Sequence, residues 1–349
     1  MNLISKPDKY ENDCEGDGRR FYTDGMHVHE YLKELVKDTG IEDMITVGEM
    51  SSTSLDNCIR YSNPEEKELS MCFNFHHLKV DYKNGNKWEL MDTDRKELKR
   101  LFEEWQIGMQ EHNGWNSLFW CNHDQPRIVS RMGNEKDYWK QSAKMLAAAV
   151  HLMRGTPYIY QGEEIGMPNA HFKDIADYRD VESLNYYEIL LKEGKTKEEA
   201  IKTLQERSRD NSRTPMQWSD EENAGFSDVT PWISVPDHYE EINVENELKD
   251  QDSIYYFYKK LIGLRKEKEV IQEGTIEFFE KEDDDLLAYE RNYKEEHLVV
   301  LNNLTERKKE VEIPQLWTSY HKLIGNYDTE NIKENKVVLR PYETLVLEK

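Results

Sequence analysis

The chain has no apolar run approaching the roughly 20 residues that a membrane helix needs, so a helical membrane span is excluded. Its opening, Met1-Asn2-Leu3-Ile4-Ser5-Lys6, has no charged segment leading into a long apolar stretch, so no secretory signal is expected. Cysteine is scarce. Cys14, Cys58, Cys72 and Cys121 are widely spaced, with no CxxC pair. That excludes a disulfide scaffold and points to buried, reduced thiols in a cytoplasmic protein. No His/Cys/Asp spacing suggests a metal site, and no cofactor is implied. Basic charge is also short. Lys and Arg total 47 against 70 Asp and Glu, a net charge of −23. Such a surface repels phosphate backbones, so nucleic acid is not an expected partner, and with no spanning run neither is a membrane. Internal repeats and low-complexity tracts are absent too.

What is present is enough apolar residue, 37% of 349, to build a sizeable core, and enough length for about two domains. The first part alternates short apolar strands with helical patterns. Strands are expected at Met44–Val47, Leu69–Phe75, Ser117–Cys121 and Tyr158–Tyr160. Leu98, Leu101, Phe102, Trp105 and Met109 share one helical face, as do Ile254, Phe257, Tyr258, Leu261 and Leu264. Ser142–Met153 is nearly all apolar and must be buried on most sides. Strands alternating with helices imply βα units and a parallel sheet. From about Gly274 only short β-type runs remain: Ile276–Phe279, Leu286–Tyr289, Leu298–Leu301, Val337–Leu339 and Thr344–Leu347. They read as a small all-β domain. The charge run Glu280–Asp285 between two of them is read as a solvated hairpin turn.

Two carboxylates stand at strand ends: Glu49 in Thr46-Val47-Gly48-Glu49, and Asp124 in Asn122-His123-Asp124-Gln125-Pro126-Arg127. In parallel α/β folds the carboxyl ends of strands are where sites are assembled. Glycoside hydrolysis needs one acid to protonate the leaving oxygen and negative charge facing the oxocarbenium ion. Read singly, each acid is equally a helix cap or a loop residue. Glu163-Glu164 is read as rim polar structure rather than catalysis. The aromatic runs Tyr158–Tyr160 and Tyr255–Tyr258 are read as core packing.

VGEM at Val47–Met50 and NHDQPR at Asn122–Arg127 resemble two signature segments of glycoside hydrolase family 13, the α-amylase clan. GTPYIYQGEEIGM at Gly155–Met167 and RDNSRTPMQW at Arg209–Trp218 resemble its α-glucosidase branch, which includes the oligo-1,6-glucosidases. The resemblance implies a (β/α)8 barrel followed by a β-sandwich. It gives Glu49 the role of general acid/base, Asp124 that of transition-state-stabilising carboxylate, His123 a sugar hydrogen bond and Arg213 a substrate-side position. The family nucleophile is an aspartate in a segment of the form G-F-R-x-D-V-x-N-L-I-S-K, whose end matches Met1–Lys6. It would fall two residues before Met1. The expectation is therefore an α/β chain in two parts. Residues 1–270 form the second half of the barrel, from the loop after the fourth strand through the eighth βα unit, and 271–349 form the sandwich. The nucleophile, the first four strands and the calcium site of some relatives would lie in a missing amino-terminal half, itself a candidate partner. The chain alone is expected to be inactive.

Within the family, Asp17–Gly25, Gly48–Leu55 and Phe73–Tyr82 resemble the trehalose-6-phosphate hydrolases. Oligo-1,6-glucosidases carry Pro-Gly after GEM and acidic residues where His76 and Lys79 stand. A phosphorylated disaccharide needs fixed positive charge, and His76, Lys79 and Lys87 could hold its phosphate by charge-assisted hydrogen bonds. The bland alternative is solvated lysines beside a core histidine, and Arg19 and Arg20 are the competing phosphate site. The expected reaction is hydrolysis of trehalose-6-phosphate to glucose and glucose-6-phosphate by a retaining mechanism. The alternatives are an oligo-1,6-glucosidase or α-glucosidase fragment, and a non-catalytic amylase-like binding protein.

Overall fold

The computed structural model describes residues 23–349 except Met26 and Glu42. Cys14, Arg19, Arg20 and Met1–Lys6 lie outside the described residues. After helix α1 (Val28–Thr39), four short strands pair in chain order, all parallel: β1 (Val47–Met50), β2 (Met71–Asn74), β3 (Asn116–Leu118) and β4 (Thr156–Pro157). Parallel neighbours need crossovers, and helices supply them. α2 (Leu55–Ser62) follows β1 and α3 (Arg95–Glu111) follows β2, while α4 (Ile128–Arg131) and α5 (Trp139–His151) lie between β3 and β4. Beyond β4 come α6 (Val181–Lys192), α7 (Lys197–Arg207), α8 (Val244–Lys249), α9 (Ile254–Glu267) and α10 (Glu269–Glu273). Four successive βα units make the second half of a (β/α)8 barrel. Among the described residues, β1 and β4 each pair on one side only.

The helices follow their periodicity. α3 is capped by Asp94, whose side chain accepts from Glu97 N, and buries Leu98, Leu101, Phe102, Trp105 and Met109. α5 buries every residue from Ser142 to His151, because strands, α9 and the all-β unit all pack around it. The strands depart from their apolar runs. Met44 and Ile45 are exposed and precede β1, so Glu49 lies within that strand and not after it. β3 stops at Leu118, although Phe119, Trp120 and Cys121 stay buried, and β4 lies just ahead of Tyr158. After β3 the apolar run reports burial beyond the ladder, whereas at β1 the run's first two residues are exposed and the strand lies later in the chain. At the entry to β4, Gly155 has φ +143°, and a Cβ there would lie 2.6 Å from Asn116 O. Only glycine fits that approach.

The remaining strands form a sandwich. β5 (Thr275–Phe279), β6 (Leu286–Tyr293), β7 (Glu296–Asn303), β8 (Lys309–Glu312), β9 (His321–Gly325), β10 (Ile332–Lys333), β11 (Lys336–Leu339) and β12 (Thr344–Glu348) build two antiparallel sheets. Their orders are β5-β6-β7-β12-β9 and β10-β11-β8. β8, β9 and β10 have no counterpart among the expected runs, since each buries little apolar side chain. Leu286, Ala288, Val299, Leu301, Leu345 and Leu347 face the smaller sheet. The alternate residues Leu287, Tyr289, Leu298, Val300 and Val346 join the core around α5 and α9. A sheet buried on both faces explains why these strands read as unbroken apolar runs.

The junction is polar as well as apolar. Arg291, wholly buried, donates to Thr275 O at 3.0 Å, Ile271 O at 3.2 Å and Gly274 O at 2.8 Å, and also to Leu152 O at the end of α5. The Glu280–Asp285 turn is a hairpin end but not merely solvated. Lys99 of α3 donates to Glu280 O at 2.9 Å, and Arg95 pairs with Asp285 at 3.0 Å.

Candidate active site

Glu49 is the third residue of β1, between buried Gly48 and Met50. Strand alternation turns its carboxylate to the opposite, open face. It lines a cavity of about 220 Å³ with Phe73, Phe119, His123, Tyr158 and Tyr160. The wall is aromatic: Phe73 packs edge-on to Phe119 at 4.9 Å and to Tyr158 at 4.6 Å. Tyr158, Ile159 and Tyr160 are half-buried: they pack against the main core, as expected, and their open sides also line the cavity. Tyr258, by contrast, is core.

Asp124 and Arg213 meet next to Asn122 and His123, which line the cavity. Arg213 Nη2 lies 2.6 Å from Asp124 Oδ1, and its Nε donates to His123 O at 2.8 Å. Asp124 N donates to Asn122 Oδ1 at 2.8 Å, which sets the turn. The His123 ring is exposed, with Nε2 3.6 Å from Asp124 Oδ2. Four residues that the motifs had not singled out complete the arrangement. Asp180 Oδ1 stands 3.6 Å from Arg213 Nη1. Buried Asp210 accepts from Arg179 N at 2.7 Å and Asp180 N at 2.8 Å, fixing the start of α6. Arg209 Nε lies 3.7 Å from Asp124 Oδ1 and 3.0 Å from Glu182 Oε2. Arg209 and Asp210 stand inside the RDNSRTPMQW run, so the run itself was their only signal.

Arg127 ties the loops together from behind. Its guanidinium is buried and donates to Gln161 O, to Asn211 O at 3.3 Å and to Ser212 O at 3.4 Å. Tyr160 Oη donates to the same Ser212 O at 2.9 Å. Gly162, at φ +83°, makes room: a Cβ there would lie 3.0 Å from Arg127 Nη1. Glu163 is not at a rim. It is buried behind the cavity, and burial lifts its carboxyl from 4.5 to about 7, although Tyr258 Oη donates to it at 2.9 Å. Cys58, Cys72 and Cys121 are free and buried.

The three expected phosphate ligands have separate surroundings. His76 Nε2 bonds Thr53 O at 3.0 Å and its ring stacks on Trp105 at 5.0 Å. Burial lowers its pKa, which favours the neutral ring. Lys79 is exposed and donates to Ser51 O at 2.6 Å, in the loop after β1. Lys87 instead pairs with Glu182 Oε2 at 2.8 Å and lies over Trp88 at 4.6 Å. Lys87 thereby joins the Asp124–Arg213 network; among the described residues, the contacts of His76 and Lys79 run instead to Thr53, Trp105 and Ser51.

Residues 1–274 match the family description "Alpha amylase, catalytic domain", and residues 286–346 match "Alpha-amylase SusG C-terminal domain". The chain belongs to the α-amylase family. It is 50% identical to trehalose-6-phosphate hydrolase of Bacillus subtilis (strain 168), an alignment covering 99% of this chain and 62% of that protein. The Escherichia coli (strain K12) enzyme of the same name is 49% identical, covering 99% and 63%. Oligo-1,6-glucosidase of Bacillus cereus is 42% identical, again covering 99% and 63%. The crystal structure of Bacillus licheniformis trehalose-6-phosphate hydrolase superposes with a TM-score of 0.95 at 53% identity, over 99% of this chain and 63% of that one. The chain thus spans less than two thirds of the length of these relatives. No described helix is long and apolar enough to cross a membrane.

Proposed function

We propose that this chain supplies the acid/base side of a retaining α-glycosidase site for trehalose-6-phosphate, yielding glucose and glucose-6-phosphate. Glu49 is the general acid/base, and Asp124 stabilises the oxocarbenium-like transition state. His123 and Arg213 bind the sugar, and His76, Lys79 and Lys87 serve the phosphate side. The observation that carries this reading is Glu49 on an aromatic-walled cavity of sugar-ring size, with His123 on its wall and Asp124 next along the same turn. Aromatic walls suit sugar faces, and an exposed acid at a strand's carboxyl end suits proton transfer to a leaving oxygen. The phosphorylated substrate rests on likeness to the two trehalose-6-phosphate hydrolases named above. We also take residues 1–270 and 271–349 as the two units, a division that falls within α10 (Glu269–Glu273), just ahead of β5.

Retaining hydrolysis needs a second carboxylate about 5–5.5 Å from the acid. Among the described residues, Glu49 is the only carboxylate on the cavity. These 349 residues alone are therefore not expected to turn over substrate, and the barrel's other half is the partner the site requires. The test is to complete the protein to the length of its relatives and assay trehalose-6-phosphate against isomaltose, with Glu49→Gln as control. Faster hydrolysis of trehalose-6-phosphate, lost in the variant, is expected. Preference for isomaltose would favour the second reading, an oligo-1,6-glucosidase, which the 42% identical relative supports. No hydrolysis of either would favour a binding protein.

A further inference from the structure

Lys87 and Arg209 converge on one oxygen. Lys87 Nζ donates to Glu182 Oε2 at 2.8 Å, and Arg209 Nε stands 3.0 Å from that same Oε2. The two contacts differ in quality. Lys87 makes an aligned hydrogen bond. Arg209 Nε is shut off from water yet has no aligned acceptor, so its N–H remains unsatisfied. A single carboxylate oxygen serves two donors and satisfies one.

The surroundings are otherwise rigid. The Lys87 ammonium rests over Trp88, which stacks on Tyr186 of α6 at 4.6 Å with planes 13° apart. Asn86 Nδ2 donates to Tyr186 Oη at 3.1 Å. The backbone at the head of α6 is pinned by Asp210, and Asp180 caps it by accepting from Ser183 N at 3.0 Å. Glu182, second residue of that helix, keeps 36% of its side chain exposed. Its side chain can therefore swing into water without moving any of these groups. Lys87, Arg209 and Arg213 are paired with Glu182, Asp124 and Asp180, and the buried carboxylate of Asp210 lies just behind, on the backbone N–H groups of Arg179 and Asp180. Withdrawing Glu182 takes away the carboxylate that Lys87 and Arg209 share and leaves both cations facing the space it occupied.

Resting on the reading that the site takes a phosphorylated sugar, we propose that Glu182 is an internal competitor, holding between Lys87 and Arg209 the seat that the substrate's phosphate monoester takes on binding. A phosphate dianion presents three terminal oxygens, so it can accept from Lys87 and Arg209 Nε together. Glu182 then acts as a specificity gate. A neutral sugar cannot displace it, and an anionic one exchanges one counter-ion for a better one.

Calorimetric titration of the protein at low salt tests this, with glucose 6-phosphate and inorganic phosphate as probes and glucose as the neutral control. Removing a half-exposed competing ion pair should tighten both anions by about two- to fivefold in Glu182→Gln, with glucose unchanged. The gain should vanish in Glu182→Gln combined with Lys87→Ala, and added salt should erode it. Melting curves identify any variant that fails to fold, and Glu182→Asp, which shortens the acid but keeps its charge, should then show a smaller gain. If Glu182→Gln binds the anions equally or more weakly while Lys87→Ala still weakens them, Glu182 is no competitor, and the phosphorylated-substrate reading stands. If neither the parent nor the variants prefer glucose 6-phosphate to glucose, that reading fails and this inference with it.

Discussion

Tyr258 Oη donates to Glu163 Oε1 across 2.9 Å, joining α9 to the loop behind the cavity, while Glu163 Oε2 is left without a partner. Burial raises the carboxyl from 4.5 to about 7. Folding therefore favours the protonated acid. The stabilisation is fully present below the unfolded value and is lost as pH rises through about 7. At roughly 1.4 kcal/mol per unit, about 3 kcal/mol is at stake. Glu163→Gln should flatten the stability profile between pH 5 and pH 8, read from urea midpoints. An unchanged slope would show that Glu163 titrates normally.

Asp81 gives the opposite limb. Its buried carboxylate takes Arg131 Nη2 at 2.6 Å and also pairs with Arg207. Burial pushes its pKa up, but the two guanidiniums outweigh burial and hold it below 3.8. Its contribution is thus complete above the unfolded pKa and is lost on acidification. Asp81→Asn leaves two buried cations short of their counter-ion and should cost about 3–5 kcal/mol, measured by denaturant unfolding near pH 7.

The parallel sheet should make the chain sticky. β1 and β4 are its edges among the described residues, and Met44 and Ile45 lie exposed beside β1. Unpaired ladders beside apolar surface invite pairing with another chain. Sedimentation of the 349 residues alone should show concentration-dependent association. A monodisperse, cooperatively melting monomer would contradict this.

In the completed protein, Glu49→Gln should lower kcat on trehalose-6-phosphate by about 10²–10⁴-fold. Formation of the glycosyl-enzyme from an aryl α-glucoside with an acidic phenol should suffer far less, because that leaving group needs little protonation. A burst of phenol followed by slow turnover is the expected trace. Equal loss on both substrates would give Glu49 a structural role.

Much of this was legible because periodicity reports burial. α3, α5 and α9 follow from spacing, and β6, β7 and β12 read as continuous apolar runs because both sheet faces are covered. The end of β3 was misplaced for the same reason, while the start of β1 was misplaced because Met44 and Ile45, though apolar, are exposed. Phe119 to Cys121 are buried without being in the ladder, so their pattern extends past β3. The ion pairs around Asp124 left no local trace. Lys87 and Glu182 are 95 positions apart, and only the fold of the loops after β2 and β4 brings them together. Glu163 could be read as an acid after a strand, but not as a buried one, since its burial comes from Tyr258 and Arg127 in distant segments.

Substrate choice is the last expectation, again for the completed protein. Lys79 sits by the loop after β1 and Lys87 by the head of α6, so a phosphate reaching both would span two loops. A charged hydrogen bond to phosphate contributes roughly 1.5–3 kcal/mol, or about ten- to a hundredfold in binding. The double variant Lys79→Ala, Lys87→Ala should therefore raise KM for trehalose-6-phosphate by that factor and leave an uncharged aryl α-glucoside nearly unaffected. The contact is remote from the bond being broken, so the loss should fall on kcat/KM rather than on the chemical step. Salt should reproduce part of the effect, because exposed Lys79 is screened by solvent ions. The single variants then divide the contribution. A loss confined to Lys87→Ala places the phosphate on the Arg209 side, and one confined to Lys79→Ala places it beside Ser51. Equal loss on charged and neutral substrates would mean that both lysines only support the loops.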